Sequence, residues 1–172
     1  MGGAGWHSRH ANSDQVVIVA DTFTKSERSR IMAAVKSKDT APERLVRRLV
    51  HSLGFRYRLH DRSLPGTPDL VFPRLRKIIN VSGCFWHMHG CAHCRIPSSH
   101  RRYWNAKLRR NAARDKRVQR SLRRAGWGVM VIWECQTRPA LLQRLRARII
   151  AYLKKPLRRC HSRRRRVPGE FR

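Results

Sequence analysis

Lys77-Ile78-Ile79-Asn80-Val81-Ser82-Gly83-Cys84-Phe85-Trp86-His87-Met88-His89-Gly90-Cys91 carries a strand and a reactive loop in one unbroken segment. Residues 77–81 read as a buried strand, a short apolar run bounded by turn residues. From Val81 to Cys91, two cysteines, two histidines and two large aromatics crowd into eleven residues. Thiolate and imidazole at that density suggest a zinc clamp. Pro68-Asp69 lies twelve residues before Val81, and an aspartate at that place suggests a hydrolytic magnesium.

Outward from this segment the periodicities define a mixed α/β domain. Thr24-x-x-Glu27 and Thr40-x-x-Glu43 are capping boxes, each opening a helix. Leu45, Val46, Leu49, Val50 and Leu53 make one apolar stripe that stops at Gly54. Phe55 to Leu59 alternates apolar and basic residues and predicts a strand, Leu70 to Phe72 a short one, and Pro65-Gly66 a turn before Asp69. Ser98 or Ser99 is positioned to cap a long helix that runs to about Arg124 and closes at Gly126. Val129-Met130-Val131-Ile132-Trp133 reads as a strand covered on both faces. A last helix carries Leu142, Leu145, Ile149 and Leu153 on one side. The order α-α-β-β-β-α-β-α gives a mixed sheet flanked by helices.

Charge narrows the partner. Forty Lys and Arg against ten Asp and Glu leave +30 on 172 residues. Such a field draws polyanions and releases their counterions, so nucleic acid is the expected partner, although charge alone identifies no chemistry. No apolar run of about eighteen residues suggests a membrane span. The chain is expected in the cytoplasm, associated with the nucleoid when bound to DNA. In a reducing compartment its five cysteines favour metal ligation over disulfides. Residues 1–21 read as a flexible leader, 22–155 as the domain, and 156–172 as a basic disordered tail.

Each candidate residue has a plain structural reading beside its chemical one. Cys84, His89 and Cys91 are close enough to share a tetrahedral ion, with Cys135 as the fourth ligand from the end of the last strand. Four protein ligands leave no open position, so that zinc is structural. His93 and Cys94 stand as possible substitutes. Asp69 either holds magnesium or caps its turn. His87 either takes a proton from an attacking water or serves as a fifth ligand candidate or a loop hydrogen bonder. Glu43 is explained by its capping box, yet a helix start near the active strand lets it orient water as well. Phe85 and Trp86 are either core or a wedge that unstacks bases. Trp104, Leu108, Asn111, Asp115, Val118 and Leu122 fall on one seam of the long helix, where Asp115 needs an arginine partner and reads as structural.

Gly-x-Pro-Asp at 66–69, Gly-Cys-Phe-Trp-His at 83–87, Tyr-Trp-x-x-Lys at 103–107, Asn-x-x-x-Asp at 111–115 and Gly-Trp-x-Val…Val-Ile-Trp-Glu-Cys at 126–135 occur in order. Over roughly residues 22–138 the chain resembles the very short patch repair (Vsr) endonucleases. The resemblance implies a restriction-endonuclease-like fold and nicking of one strand beside the thymine of a T·G mismatch, the product of 5-methylcytosine deamination. It implies magnesium at Asp69 with the backbone carbonyl of Val81, His87 as general base, Glu43 as an acidic helper, and structural zinc at Cys84, His89, Cys91 and Cys135. It further implies Phe85 and Trp86 as the wedge and Met32 as a side chain entering from the opposite groove. Ser82 belongs with the catalytic set, but relatives commonly carry His or Asp there. Serine is a poor base and a weak ligand, so slower cleavage or greater reliance on His87 is expected.

A monomer acting on double-stranded DNA is expected, with mismatch-repair and repair-synthesis proteins as possible partners. The competing reading is a zinc-stabilised nucleic-acid-binding protein without catalysis, which leaves Asp69 and His87 without roles.

Overall fold

The computed structural model describes residues 38–157 apart from 93, 95, 98 and 99, together with Ser26 and Arg30. Met32, the leader and the tail beyond Leu157 lie outside the described residues, and of the helix expected after Thr24 only Ser26 and Arg30 are described, both helical. Helix α1 spans Ala41–Ser52 and begins as its sequence requires: Thr40 is the N-cap, its side chain accepts from the Glu43 N–H, and a proline opens the first turn. Val46 and Val50 point one way from it and are fully buried. Burying side chains of this kind stabilises by about 1.5–3 kcal/mol each.

Four strands follow in spatial order β1-β2-β3-β4. They are β1 (Arg58–Leu59), β2 (Leu70–Phe72), β3 (Lys77–Ser82) and β4 (Gly128–Trp133). β1 and β2 pair antiparallel, as do β2 and β3, with Leu70 opposite Ile79. β3 and β4 run parallel from Lys77 opposite Gly128 to Ser82 opposite Trp133. The parallel crossover contains α2 (Arg101–Arg124), and α3 (Leu142–Lys154) closes the domain.

Alternation of side chains divides the core between the two faces of the sheet. Leu70, Phe72, Ile79, Met130 and Ile132 meet Val46 and Val50 of α1 and Leu145, Ile149 and Leu153 of α3. Val71 and Ile78 face the other way and meet Leu122 of α2, with Val118 and Val129 alongside. The result is the expected mixed sheet flanked by helices, in which Ser82 and Trp133 end side by side where the cysteine loop begins.

Three expectations change. β1 is two residues long instead of five, because Phe55 and Tyr57 pack into the α1 side of the core and His60 turns the backbone left-handed at φ 48°. α2 starts at Arg101 with left-handed His100 at its N-cap and no side-chain cap, while Ser98 and Ser99 fall outside the described residues. β4 is buried only at Met130 and Ile132, with Val129, Val131 and Trp133 half-buried.

One buried charge was not anticipated. Lys77 is 3% exposed, and its Nζ donates to the carbonyls of Tyr152 at 2.6 Å, Leu153 at 2.8 Å and Lys155. These carbonyls end α3, so an ammonium there satisfies orphan acceptors and the negative pole of the helix. Desolvation lowers the Lys77 pKa.

Candidate active site and metal centre

Asp69 enters β2 from a tight turn. Thr67 N–H donates to the Leu64 carbonyl at 3.2 Å, and Gly66 has φ +78°. A side chain at Gly66 would run into Val118 of α2, so glycine permits both the turn and its contact with the helix. Across the sheet the Val81 N–H donates to Asp69 Oδ2 at 2.7 Å. Burial pushes the Asp69 carboxyl up to about 6, partly offset by that N–H, with the negative charge of Glu43 raising it further. A half-buried carboxylate whose ionisation is opposed by burial is chemically suited to a hard divalent cation.

Glu43 is 4% exposed, and its carboxylate does more than complete a capping box. Oε1 accepts from the Thr40 hydroxyl at 3.0 Å, and Oε2 accepts from the Asp39 N–H and from Arg47 Nη2, each at 3.0 Å. It lines a cavity of about 520 Å³ with Val81, Gly83, Trp86, His87, Asn111 and Glu134. The cavity therefore opens where β3 gives way to the loop. Asp69 reaches it through the hydrogen bond to Val81, and half-buried Ser82 ends the strand at its edge.

Helix α2 supplies the residues that the sequence reading assigned differently. Asp115 Oδ2 pairs with Nδ1 of His87, and Asn111 Nδ2 donates to the Trp86 carbonyl at 3.3 Å. Arg114 Nε does lie 3.8 Å from the other oxygen of Asp115, but its side chain is mostly exposed. The acid on the helix seam thus addresses the loop histidine, and half-buried Asp115 belongs to the site. Asn111, Asp115 and Glu134 were missed as site residues. The signal was the amide and the acid spaced four apart on an otherwise apolar seam.

The aromatic pair is anchored from behind. Phe85 and Trp86 meet edge to face at 5.0 Å, and Phe85 meets the buried Trp104 at 5.5 Å. Lys107 Nζ stands 5.6 Å from the Trp86 ring centroid. Both loop aromatics are half-buried. A basic hollow on α2, including Arg110, Lys116, Arg117 and Arg120, shares Asn111 and Arg114 with the cavity.

Below the cavity, Cys84, His89, Cys91 and Cys135 bring one ligand atom each within 4.8 Å of one another. Cys84 is fully buried, and its thiol is pushed up to about 12 by burial; burial also raises Cys135. The ring of His89 stacks on Trp133 at 4.2 Å and 17°, and its Nδ1 is 3.5 Å from Cys135 Sγ. Four soft or borderline donors, one buried and three half-buried, suit a thiophilic divalent ion that would deprotonate the thiols. Cys94 is peripheral: its thiol donates to the Cys84 carbonyl at 3.1 Å and lies 3.8 Å from Cys91 Sγ. The four described cysteines form no disulfide. No helix among the described residues is long and apolar enough to cross a membrane.

Residues 20–93 match the family model described as DNA mismatch endonuclease Vsr. The chain is 47% identical over 118 residues to the type II nicking enzyme V.XorIIP of Xanthomonas oryzae pv. oryzae, covering 69% of this chain and 87% of that protein. It is 39% identical over 118 residues to the type II nicking enzyme V.NmeAIP of Neisseria meningitidis, covering 69% and 84%. It is 38% identical over 120 residues to the DNA mismatch endonuclease Vsr of Escherichia coli K12, covering 70% and 77%. Sheet, helices and these relatives together define a restriction-endonuclease-like DNA endonuclease, which sets aside the non-catalytic reading. The chain belongs to the Vsr family of DNA mismatch endonucleases.

Proposed function

We propose that this endonuclease nicks one strand beside the thymine of T·G mismatches left by 5-methylcytosine deamination, using magnesium for hydrolysis and zinc for structure. The observation that supports it best is the convergence, at one cavity, of the His87–Asp115 pair, Glu43 and the Asp69–Val81 contact, directly beside the Phe85-Trp86 loop.

The chain's own groups divide the work. Asp115 accepts from Nδ1 of His87, which fixes the ring and leaves Nε2 as the nitrogen able to take a proton from attacking water. Asp69 and the Val81 carbonyl would hold magnesium, which supplies charge stabilisation for attacking and leaving oxygens when bound. Glu43, fixed by three donors, keeps a negative oxygen at the cavity wall to orient water. Ser82 contributes a hydroxyl where a stronger base or ligand is familiar, so His87 carries the proton transfer. Cys84, His89, Cys91 and Cys135 would hold zinc with no open position and thereby brace the loop. Phe85 and Trp86 open the base stack, and the basic face of α2 follows the phosphates.

The test is nicking of matched and T·G duplexes by the zinc-loaded protein, with and without magnesium. Magnesium-dependent nicking confined to one strand of the T·G duplex is expected. Equal cleavage of both duplexes, or cleavage indifferent to magnesium, contradicts the reading.

A further inference from the structure

Arg47, from α1, has a part in the chemistry above only as a donor to Glu43, and His60, just after β1, has none. Arg47 Nη2 is 2.8 Å from His60 Nε2 and 3.0 Å from Glu43 Oε2, and its other amino group pairs with Asp39. A guanidinium has donors only and stays charged, so Nε2 of His60 must be the acceptor. The imidazole is then neutral, with its proton on Nδ1. That nitrogen lies 3.9 Å from Asp69 Oδ1, so a positive N–H dipole stands opposite one carboxylate oxygen while the Val81 N–H holds the other. The main chain repeats the connection, for His60 N–H donates to the Asp69 carbonyl at 3.4 Å.

We propose that Arg47 and His60 form a positioning relay that fixes the Asp69 carboxylate and ties it to Glu43. This rests on the reading of Asp69 as a magnesium ligand. Asp39, Glu43 and His60 also place ligand atoms within 4.8 Å of one another, as a metal site would. The guanidinium contacts all three and occupies the imidazole lone pair, so Arg47 is the cation of this cluster. Arg47 Nε is buried without a partner among the described residues. Such a group is an unfavourable choice for stability alone, in keeping with a role at the site.

The experiment measures single-turnover nicking of a T·G duplex against magnesium concentration for the full chain and its His60 variants, with melting temperature and magnesium-free DNA affinity recorded for each. His60→Leu removes both polar contacts and is expected to lower the rate, or raise the magnesium needed, by about ten- to a hundredfold, the scale for residues that orient a metal ligand. His60→Gln should stay within about threefold of wild type, because its amide oxygen accepts from Arg47 while its N–H faces Asp69. DNA affinity should not change in either. If His60→Leu melts early, His60→Asn replaces it, being polar but too short to span both partners. Loss of rate in a well-folded His60→Asn supports the relay. Wild-type kinetics in His60→Leu or His60→Asn overturns it, as does a His60→Gln defect equal to that of His60→Leu at unchanged melting temperature. Failure of the wild type itself to nick with magnesium would instead refute the reading of Asp69, and the relay with it.

Discussion

Nδ1 of His87 pairs with Oδ2 of Asp115, twenty-eight residues away and on a different element. The contact joins the cysteine loop to α2 and, on the proposed function, leaves Nε2 as the nitrogen that accepts the proton. Asp115→Asn should keep the fold but reverse or loosen the imidazole, lowering the nicking rate by about a hundredfold, the low end for a positioned proton acceptor. DNA affinity should change little. Rapid nicking by Asp115→Asn would leave His87 without its base role.

The thiolate cluster makes a separate prediction. Purified protein should carry one zinc per chain, and Cys135→Ala should lose it and melt well below wild type, since metal binding and folding are coupled. Cys94→Ala should keep both zinc and melting temperature, because Cys94 stands outside the four-ligand set. Metal analysis and thermal melting of the two variants decide it. The reverse pattern exchanges the two cysteines.

Burial raises Asp69 from 3.8 to about 6 in the folded chain. Between those values the folded protein holds a proton that the unfolded chain has released, so without magnesium this group's contribution to stability falls as pH rises, then levels off above about 6. The effect is on the order of 1–3 kcal/mol. Asp69→Asn should therefore gain stability over wild type at pH 7.5 and lose most of that advantage near pH 4.5. Melting both proteins in zinc-retaining, magnesium-free buffer cancels the shared protonation of the cysteine loop. A difference that does not vary with pH would contradict the burial argument.

Recognition should separate from affinity. Trp86→Ala removes a ring fixed beside Phe85 and near Lys107, and should reduce the preference for T·G over matched DNA by about tenfold, the scale of one lost aromatic stack. Most of the salt-dependent binding should persist, because it comes from arginines and lysines on the α2 face. Binding to both duplexes across a salt series measures this. An equal loss on both would make Trp86 part of the packing only.

What could be read from the chain depended on how local the cause was. Thr40 and Glu43 announce α1 because a capping box is contained in four residues, and β3 and β4 announce themselves as apolar runs. The four thiophilic residues were legible from side-chain chemistry and short spacing, with Cys135 following from the end of β4. β1 was overextended because alternation at Phe55 and Tyr57 serves packing against α1 rather than a ladder. The partner of Asp115 was hidden because it depends on where α2 crosses the loop. The Arg47–His60 contact was hidden for the same kind of reason, since it needs α1 beside a left-handed turn. Lys77 looked like an ordinary strand end, and only the docking of α3 shows the carbonyls it satisfies.

The central claim is that Asp69 is the acid on which hydrolysis depends. The most direct measurement is single-turnover nicking of a T·G duplex by wild type and Asp69→Asn at saturating magnesium, with binding measured on the same duplex. Asp69→Asn preserves shape while removing the ligand charge. The expected result is magnesium-dependent nicking by wild type and no detectable nicking by Asp69→Asn, at closely similar DNA affinity. Nicking by Asp69→Asn at the wild-type rate would contradict it.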